Sequence, residues 1–181
     1  HAQTVELIQT ITLDAKTIGV LYASSEDNSV SQVKEFTQYA EEAGLTVVEY
    51  AVPSTNEITT TMSVMTGKVD AICVPQDNTI ASAFPTVVTA ANAAKIPVYS
   101  SVDTMVKQGS IASVAQSQYD LGLETAKIAV KILAGKKVSE VPVKVVDTGV
   151  PTVNLKAAKE LGITIPDSLL EEADIAVEAD E

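Results

Sequence analysis

The chain has 181 residues, 46% of them hydrophobic and 20% charged, which suits one domain with a buried core and excludes wholesale disorder. Its 12 basic and 24 acidic residues give a net charge of −12 at pH 7, which argues against nucleic acid and anionic lipid as partners. With no Trp and only 4% aromatic residues, a platform for stacking bases is not expected.

The first half of the chain alternates short apolar runs with amphipathic patterns. The apolar runs predict strands at 17–22, 45–50 and 69–74. A helical stripe lies between the first two strands and ends before Gly44. Ser54 and Glu57 have the spacing of a capping box, which predicts a helix that runs to about residue 65.

The same alternation continues through the next fifty residues. A helical region extends to about residue 94, with Pro85 at a kink or a fresh start, and strands are predicted at 96–100 and 110–116. Strands that are almost continuously apolar, each followed by a helix, are typical of a parallel sheet covered on both faces. The predicted fold is therefore α/β, a Rossmann-like parallel sheet flanked by helices.

After residue 116 the pattern changes. One long helix is predicted at 119–135, and its apolar residues cover more of its circumference than packing on one sheet requires, which suggests a second partner. Residues 141–146 are a candidate strand, Asn154 a helix cap, and Asp167 the start of a last helix. Residues 174–181 are expected to form an acidic tail. Since the chain starts without Met and without a leader pattern, we expect it to be processed or excised from a longer product.

Polar residues follow the predicted strands at one edge of the sheet. These segments read "ASSEDNS", "PQDNT", "SSVDT" and "QSQYD". Ligands of doubly wound sheets bind outside the carboxyl ends of the strands, where helices begin. Hydroxyl and amide groups there suit a small polar ligand, although helix capping alone explains any single loop as well.

Catalytic patterns are poorly represented. The sole His is His1, so no nucleophile–histidine system is expected, and the single Cys73 lies in an apolar run as a small hydrophobe. There is no phosphate-binding glycine motif and no metal-ligand spacing, so no cofactor or metal is expected. Asp27, Asp77 and Asp103 at strand ends keep a small magnesium-dependent α/β enzyme open as an alternative.

Several blocks of the chain, in order, resemble one family. They are "AKTIGVLYASSEDNSVSQVKEFTQYAEEAGLTVVE", "GKVDAICVPQDNTIASA", "AKIPVYSS", "GSIASVAQSQYDLGLETAKIAVKILAG" and "NLKAAKELGITIPDSLLEEA". The family is that of ABC-transporter substrate-binding proteins similar to the tryptophan-binding lipoprotein TrpX, and the resemblance runs from about Val5 to Ala173. It implies the type I periplasmic-binding-protein fold, in which two lobes enclose the ligand. This chain would be the C-terminal lobe, and residues 117–141 would pack on a missing N-terminal lobe.

The resemblance also implies which residues bind. A ligand carboxylate would be held by residues of the first loop, namely Ser24, Ser25, Asn28 and Ser29. A ligand ammonium would be held by Asp77, with further hydrogen bonds from Asn78 and Thr79.

Two further groups complete the implied site. The next position at the sheet edge is occupied by Ser101 and Asp103. An apolar wall would come from aromatic side chains, namely Tyr22, Phe84 and Tyr99, for which packing in the core is the alternative.

The implied function is non-enzymatic: the solute-binding component of an ABC import system, with an amino acid, best an aromatic one, as ligand. The partner of the whole protein would be an ABC permease, on the extracellular side of the bacterial cytoplasmic membrane, periplasmic or lipid-anchored. The surface left by the missing lobe could instead form a homodimer. A ligand-sensing domain of a regulator is the other alternative.

Overall fold

The computed structural model describes residues 1–146 and 149–179. Its strands are β1 Thr17–Ala23, β2 Thr46–Val52, β3 Ala71–Val74, β4 Val98–Ser100, β5 Ala112–Ala115, β6 Val150–Asn154 and β7 Asp174–Val177. Its helices are α1 Ala2–Ile11, α2 Asp27–Glu42, α3 Ile58–Met65, α4 Asn78–Ser82, α5 Phe84–Ala93, α6 Asp103–Lys107, α7 Gln118–Leu133, α8 Leu155–Leu161 and α9 Asp167–Leu170. Short 3-10 turns lie at Thr55–Glu57 and Val138–Glu140.

Within the described residues the strands form one sheet in the order β2-β1-β3-β4-β5-β6-β7. The pairs from β2 to β5 are parallel, as the alternation predicted. The prediction of an entirely parallel sheet is corrected at β6, which runs antiparallel to β5, while β7 is parallel to β6. The reason is that the chain re-enters the sheet at the edge where β5 ends and must run in the opposite direction.

Both faces of the sheet are buried, which explains why the central strands are apolar at almost every position. One face joins Val20 and Cys73 to α1 and α2 in one apolar cluster. The other joins Leu21 and Ile72 to α3, α4 and α5 in a second cluster. Cys73 is buried, as expected of a small hydrophobe, and burial raises the pKa of its thiol to about 12.

Two expectations outside the central strands are wrong, and one helix has no counterpart among the predicted elements. Residues 141–146 form no strand, and Val143 is 93% exposed. The strand of this region is β6, eight residues further on. The expected acidic tail is wrong at Asp174–Val177, which form β7 beside β6, and residues 180–181 of that tail lie outside the described part. Helix α1 was not predicted, and its Val5, Ile8 and Ile11 lie in the core.

Helix α7 confirms the long helix expected after residue 116, but none of its side chains is buried. One stripe, Leu121, Glu124, Ile128 and Ile132, is half-buried. The opposite stripe is exposed, with Leu133 at 86%. We call it the outer stripe of α7; it consists of Tyr119, Leu123, Ala126, Val130 and Leu133. A helix with apolar residues on both sides and cover on only one has a face without a partner in the described chain. No helix among the described residues has the length and apolar character needed to cross a bilayer.

Candidate functional site

The loops after β1 and β3 meet at the carboxyl edge of the sheet, where the sequence placed the site. Asp77, at the end of the β3 loop, is only 2% exposed. Its Oδ2 accepts a hydrogen bond from the backbone N of Ala23 at 2.7 Å, and its Oδ1 accepts one from the N of Ile80 at 2.8 Å. Asp77 therefore caps α4 and ties the two loops together. Both carboxylate oxygens thus have a structural role within the chain, which the prediction of a contact with a ligand ammonium did not include.

Glu26, which sequence reasoning missed, makes the reciprocal connection. Its Oε1 accepts hydrogen bonds from the backbone N and the Oγ1 of Thr79, both at 2.7 Å. Its Oε2 accepts from the backbone N of Asn78 at 3.0 Å and from the Nδ2 of Asn78 at 3.3 Å. Burial raises the pKa of the Glu26 carboxyl, but these hydrogen bonds outweigh burial and leave the pKa below its ordinary value.

The β3 loop is also fixed at Gln76. The backbone O of Gln76 accepts from Asn28 Nδ2 at 2.7 Å and from Ser29 Oγ at 3.3 Å. The backbone N of Gln76 donates to the Oε1 of Gln32 at 3.0 Å. Ser29 is fully buried, which puts it out of reach of a ligand. Residues expected to hold a ligand thus first hold one loop against another.

The remaining polar residues of the predicted site are more exposed and make fewer hydrogen bonds. Ser24 and Ser25 are exposed, and Ser24 Oγ lies 3.4 Å from the backbone O of Val52. Ser101 is half-buried. Asp103 accepts a hydrogen bond through Oδ1 from the backbone N of Thr104 at 2.9 Å, as the first residue of α6. These four residues lie at the carboxyl edge, as expected from their strand-end positions.

The aromatic residues lie in the core and do not form the expected apolar wall. Phe84 and Tyr99 are fully buried, and Tyr22 is 8% exposed. The Tyr99 hydroxyl lies 2.5 Å from the Oγ1 of Thr12, and burial raises the pKa of Tyr99. Tyr22 donates a hydrogen bond to Glu49 Oε2 at 2.9 Å, and burial, assisted by Glu49, raises its pKa too.

A depression of about 500 Å³ opens between the β3 loop, the β4 loop and the start of α7. Of the predicted site it contains Asn28, Asp77 and Asn78. Sequence reasoning missed Gln76 and Gln118, which also line it, although both stand in the polar segments after β3 and β5. Apolar cover comes from residues not singled out before, namely Val102, Met105 and Leu121. Amides beside aliphatic side chains suit a ligand with both polar and apolar parts.

Ser101 and Asp103 lie in two adjoining depressions. The one at Ser101 measures about 460 Å³ and is also lined by His1 and Gln116. The one at Asp103 measures about 480 Å³ and is lined by charged side chains that include Lys107 and Asp174. The structure therefore distributes the predicted site over neighbouring parts of one edge. No group of three acidic, Cys or His side chains in the described residues is arranged to hold a metal ion.

Three stretches of chain meet at one corner of this edge. The start of the chain, the end of β5 and the segment that leads back from α7 line the same depression, at His1, Gln116 and Val145. Gln116 Nε2 donates a hydrogen bond to the backbone O of Val146. Gly149 passes so close to β5 that a Cβ would lie 2.9 Å from a methyl group of Val114. The chain thus leaves the sheet towards α7 and returns to the sheet at nearly the same point.

Comparison with known proteins gives the following matches. Residues 1–177 match the family model described as ABC transporter substrate binding protein. A curated tyrosine-binding protein from Clostridioides difficile is 36% identical over 159 residues, which are 88% of this chain and 46% of that protein.

Two solved structures are also similar. An ABC domain in complex with L-Trp from Streptococcus pneumonia is 57% identical with a TM-score of 0.92, over 96% of this chain and 59% of that one. The ligand-free, open structure of a substrate-binding protein with adhesive properties from Clostridium difficile is 36% identical with a TM-score of 0.77, over 98% of this chain and 59% of that one. The chain thus spans about half the length of the curated relative and 59% of each solved chain.

Proposed function

We propose, since this chain belongs to the family of ABC transporter substrate-binding proteins, that it supplies half of a cleft that binds an aromatic amino acid. The observation that carries the proposal is the depression at the carboxyl edge, where amides of Gln76, Asn78 and Gln118 stand beside aliphatic side chains. An amino acid with an apolar side chain needs both kinds of contact. The relatives support this choice, since one is a tyrosine-binding protein and another was solved with L-Trp.

The other half of the cleft belongs, in this proposal, to a second lobe outside the chain. Relatives are longer than this chain, and three stretches of chain meet at one corner of the edge, as connections between two lobes would. Hinge closure around the ligand follows from such an arrangement. The whole protein would act outside the bacterial cytoplasmic membrane, periplasmic or lipid-anchored, and pass the ligand to an ABC permease.

The proposed ligand is tested by calorimetry on the full-length protein that contains this chain. L-Tryptophan or L-tyrosine is expected to bind with a dissociation constant of about micromolar or below, about −8 kcal/mol or better. L-Lysine is the matched control, since it has the same ammonium and carboxylate but a charged side chain. Equal affinity for L-lysine, or no heat with either aromatic amino acid, would contradict the proposal.

The outer stripe of α7 is, in the same proposal, the surface that packs on the second lobe. The variant Leu123→Glu/Val130→Glu should change the unfolding free energy of the 181-residue chain by less than about 0.5 kcal/mol, because both side chains are already exposed. In the full-length protein it should cost about 3 kcal/mol or more, because two apolar contacts are replaced by charges.

Urea unfolding of both proteins measures this difference. Ala129→Glu adds one such charge on the exposed flank of α7, outside the outer stripe, and should have little effect in either protein. If the full-length double variant is as stable as its parent, the stripe is not an interlobe surface. Sedimentation of the 181-residue chain tests the homodimer alternative, in which a second copy covers the stripe.

A further inference from the structure

We propose that Glu26 is a positioning residue for the ligand site: it lies outside the depression but holds Asn78 in the orientation that the ligand meets. The inference rests on the proposed function, because it assigns a role in the affinity of that same site. Glu26 does not line the depression, whereas Asn78 and Gln76 do. The influence on binding that we propose for Glu26 passes through its hydrogen-bond partners.

The contacts of Glu26 determine which atoms of Asn78 remain available. Both the backbone N and the Nδ2 of Asn78 donate to Glu26 Oε2. Since the side-chain nitrogen is engaged, the Asn78 amide is held in one orientation, and its Oδ1 has no hydrogen-bond partner among the described residues. A free carbonyl oxygen at the wall of the depression is an acceptor for an N–H of the ligand.

Glu26 is better suited to this task than Asp77, the carboxylate next to Asn78 in the sequence. Asp77 is buried and its two oxygens accept hydrogen bonds from the backbone N–H groups of Ala23 and Ile80, so it fixes the path of the chain. Glu26 alone, among the described residues, bonds the side chains of both Asn78 and Thr79. Because all four of its partners are donors, a carboxylate fits and a carboxamide does not.

Glu26→Gln therefore places an NH2 group against the donors of either Asn78 or Thr79 and breaks about half of the contact. In the full-length protein we expect it to weaken binding of L-tryptophan about tenfold or more, because the Asn78 side chain is no longer held in one orientation. Glu26→Asp keeps the charge and should recover part of the affinity. Glu41→Gln, which changes an exposed carboxylate near the far end of the helix that Glu26 precedes, should bind like the parent protein.

A double-mutant cycle with Asn78→Ala separates positioning from general stability. If Glu26 acts through Asn78, Glu26→Gln should have almost no further effect on affinity in the Asn78→Ala background. A loss of the same size in both backgrounds, or parental affinity of Glu26→Gln, would overturn the proposal.

Hydrogen exchange of the peptide that covers residues 75–82 provides a test that needs no ligand. Exchange at residues 78 and 79 should be faster in Glu26→Gln than in Glu41→Gln, with little change elsewhere. Unchanged exchange would overturn the proposal whatever the ligand is. If the parent protein binds neither aromatic amino acid, the proposed function fails, and the exchange result alone decides whether Glu26 positions the loop.

Discussion

The 181-residue chain is expected to bind an aromatic amino acid about a thousandfold more weakly than the full-length protein that contains it. In a cleft between two lobes, contacts from the absent side would contribute about 4 kcal/mol, which corresponds to that factor. In the proposed two-lobe cleft, the depression at the carboxyl edge offers only this chain's half of the contacts. Calorimetry of both proteins with L-tryptophan measures the ratio.

The comparison needs proof that the shorter protein is folded. Its sheet is covered by helices on both faces, so we expect a cooperative urea transition for the 181-residue chain. Weak binding by a folded chain supports the two-lobe cleft. Equal affinity of the two proteins would refute it, since the depression described above would then be the complete site.

Asp77→Ala is expected to be among the most damaging substitutions in this chain. It leaves the backbone N–H groups of Ala23 and Ile80 without their acceptor in a place that is 2% exposed. Two buried hydrogen bonds to a charged group are together worth about 3–5 kcal/mol, a large part of the stability of an ordinary domain. Urea unfolding measures the loss.

Two controls sharpen this experiment. Asp77→Asn keeps one acceptor oxygen and should lose about half as much stability as Asp77→Ala. Asp27→Ala removes an exposed carboxylate at the first residue of α2 that accepts no hydrogen bond among the described residues, and should cost less than about 1 kcal/mol. A loss below about 1 kcal/mol for Asp77→Ala would show that Asp77 is not the structural tie described here.

Strands β1, β3 and β4 could be predicted because they are buried on both faces, which leaves an apolar run in the sequence. The last two strands lack that signal. Residues 150–154 contain Pro151, and a proline within a run argues against a strand. Asp174–Val177 lie at the sheet edge, where Ile175 is 44% exposed and the acidic surroundings suggest a tail. In both cases the pairing partner, not the local composition, decides the structure.

The convergence of the polar loops at one edge of the sheet could be predicted, but the contacts between their residues could not. Strand ends in a parallel sheet lie at one edge by topology, so the polar loops had to be neighbours. Which polar groups bond to each other depends on how residue 26 faces residue 78. These two residues are too far apart in the sequence for a local pattern to relate them. The sequence therefore does not point to Glu26, and at Asn28, Ser29, Asn78 and Thr79 it does not separate a ligand contact from a contact between loops. For the same reason, the sequence does not decide whether the aromatic residues line the site or pack in the core.

After α7 the chain returns to the sheet beside the strand from which it left, β5, and this affects the order of folding. Ala112 of β5 pairs with Val153 of β6 only after the whole excursion through α7 has been closed into a loop. The parallel strands from β1 to β5 need no such loop, and ribosomal synthesis completes them before residue 150 emerges. Closure of a long loop costs entropy that nearby contacts must offset. We therefore expect β6 and β7 to join a preformed sheet late, with Gln116 and Gly149 marking the point where the loop closes.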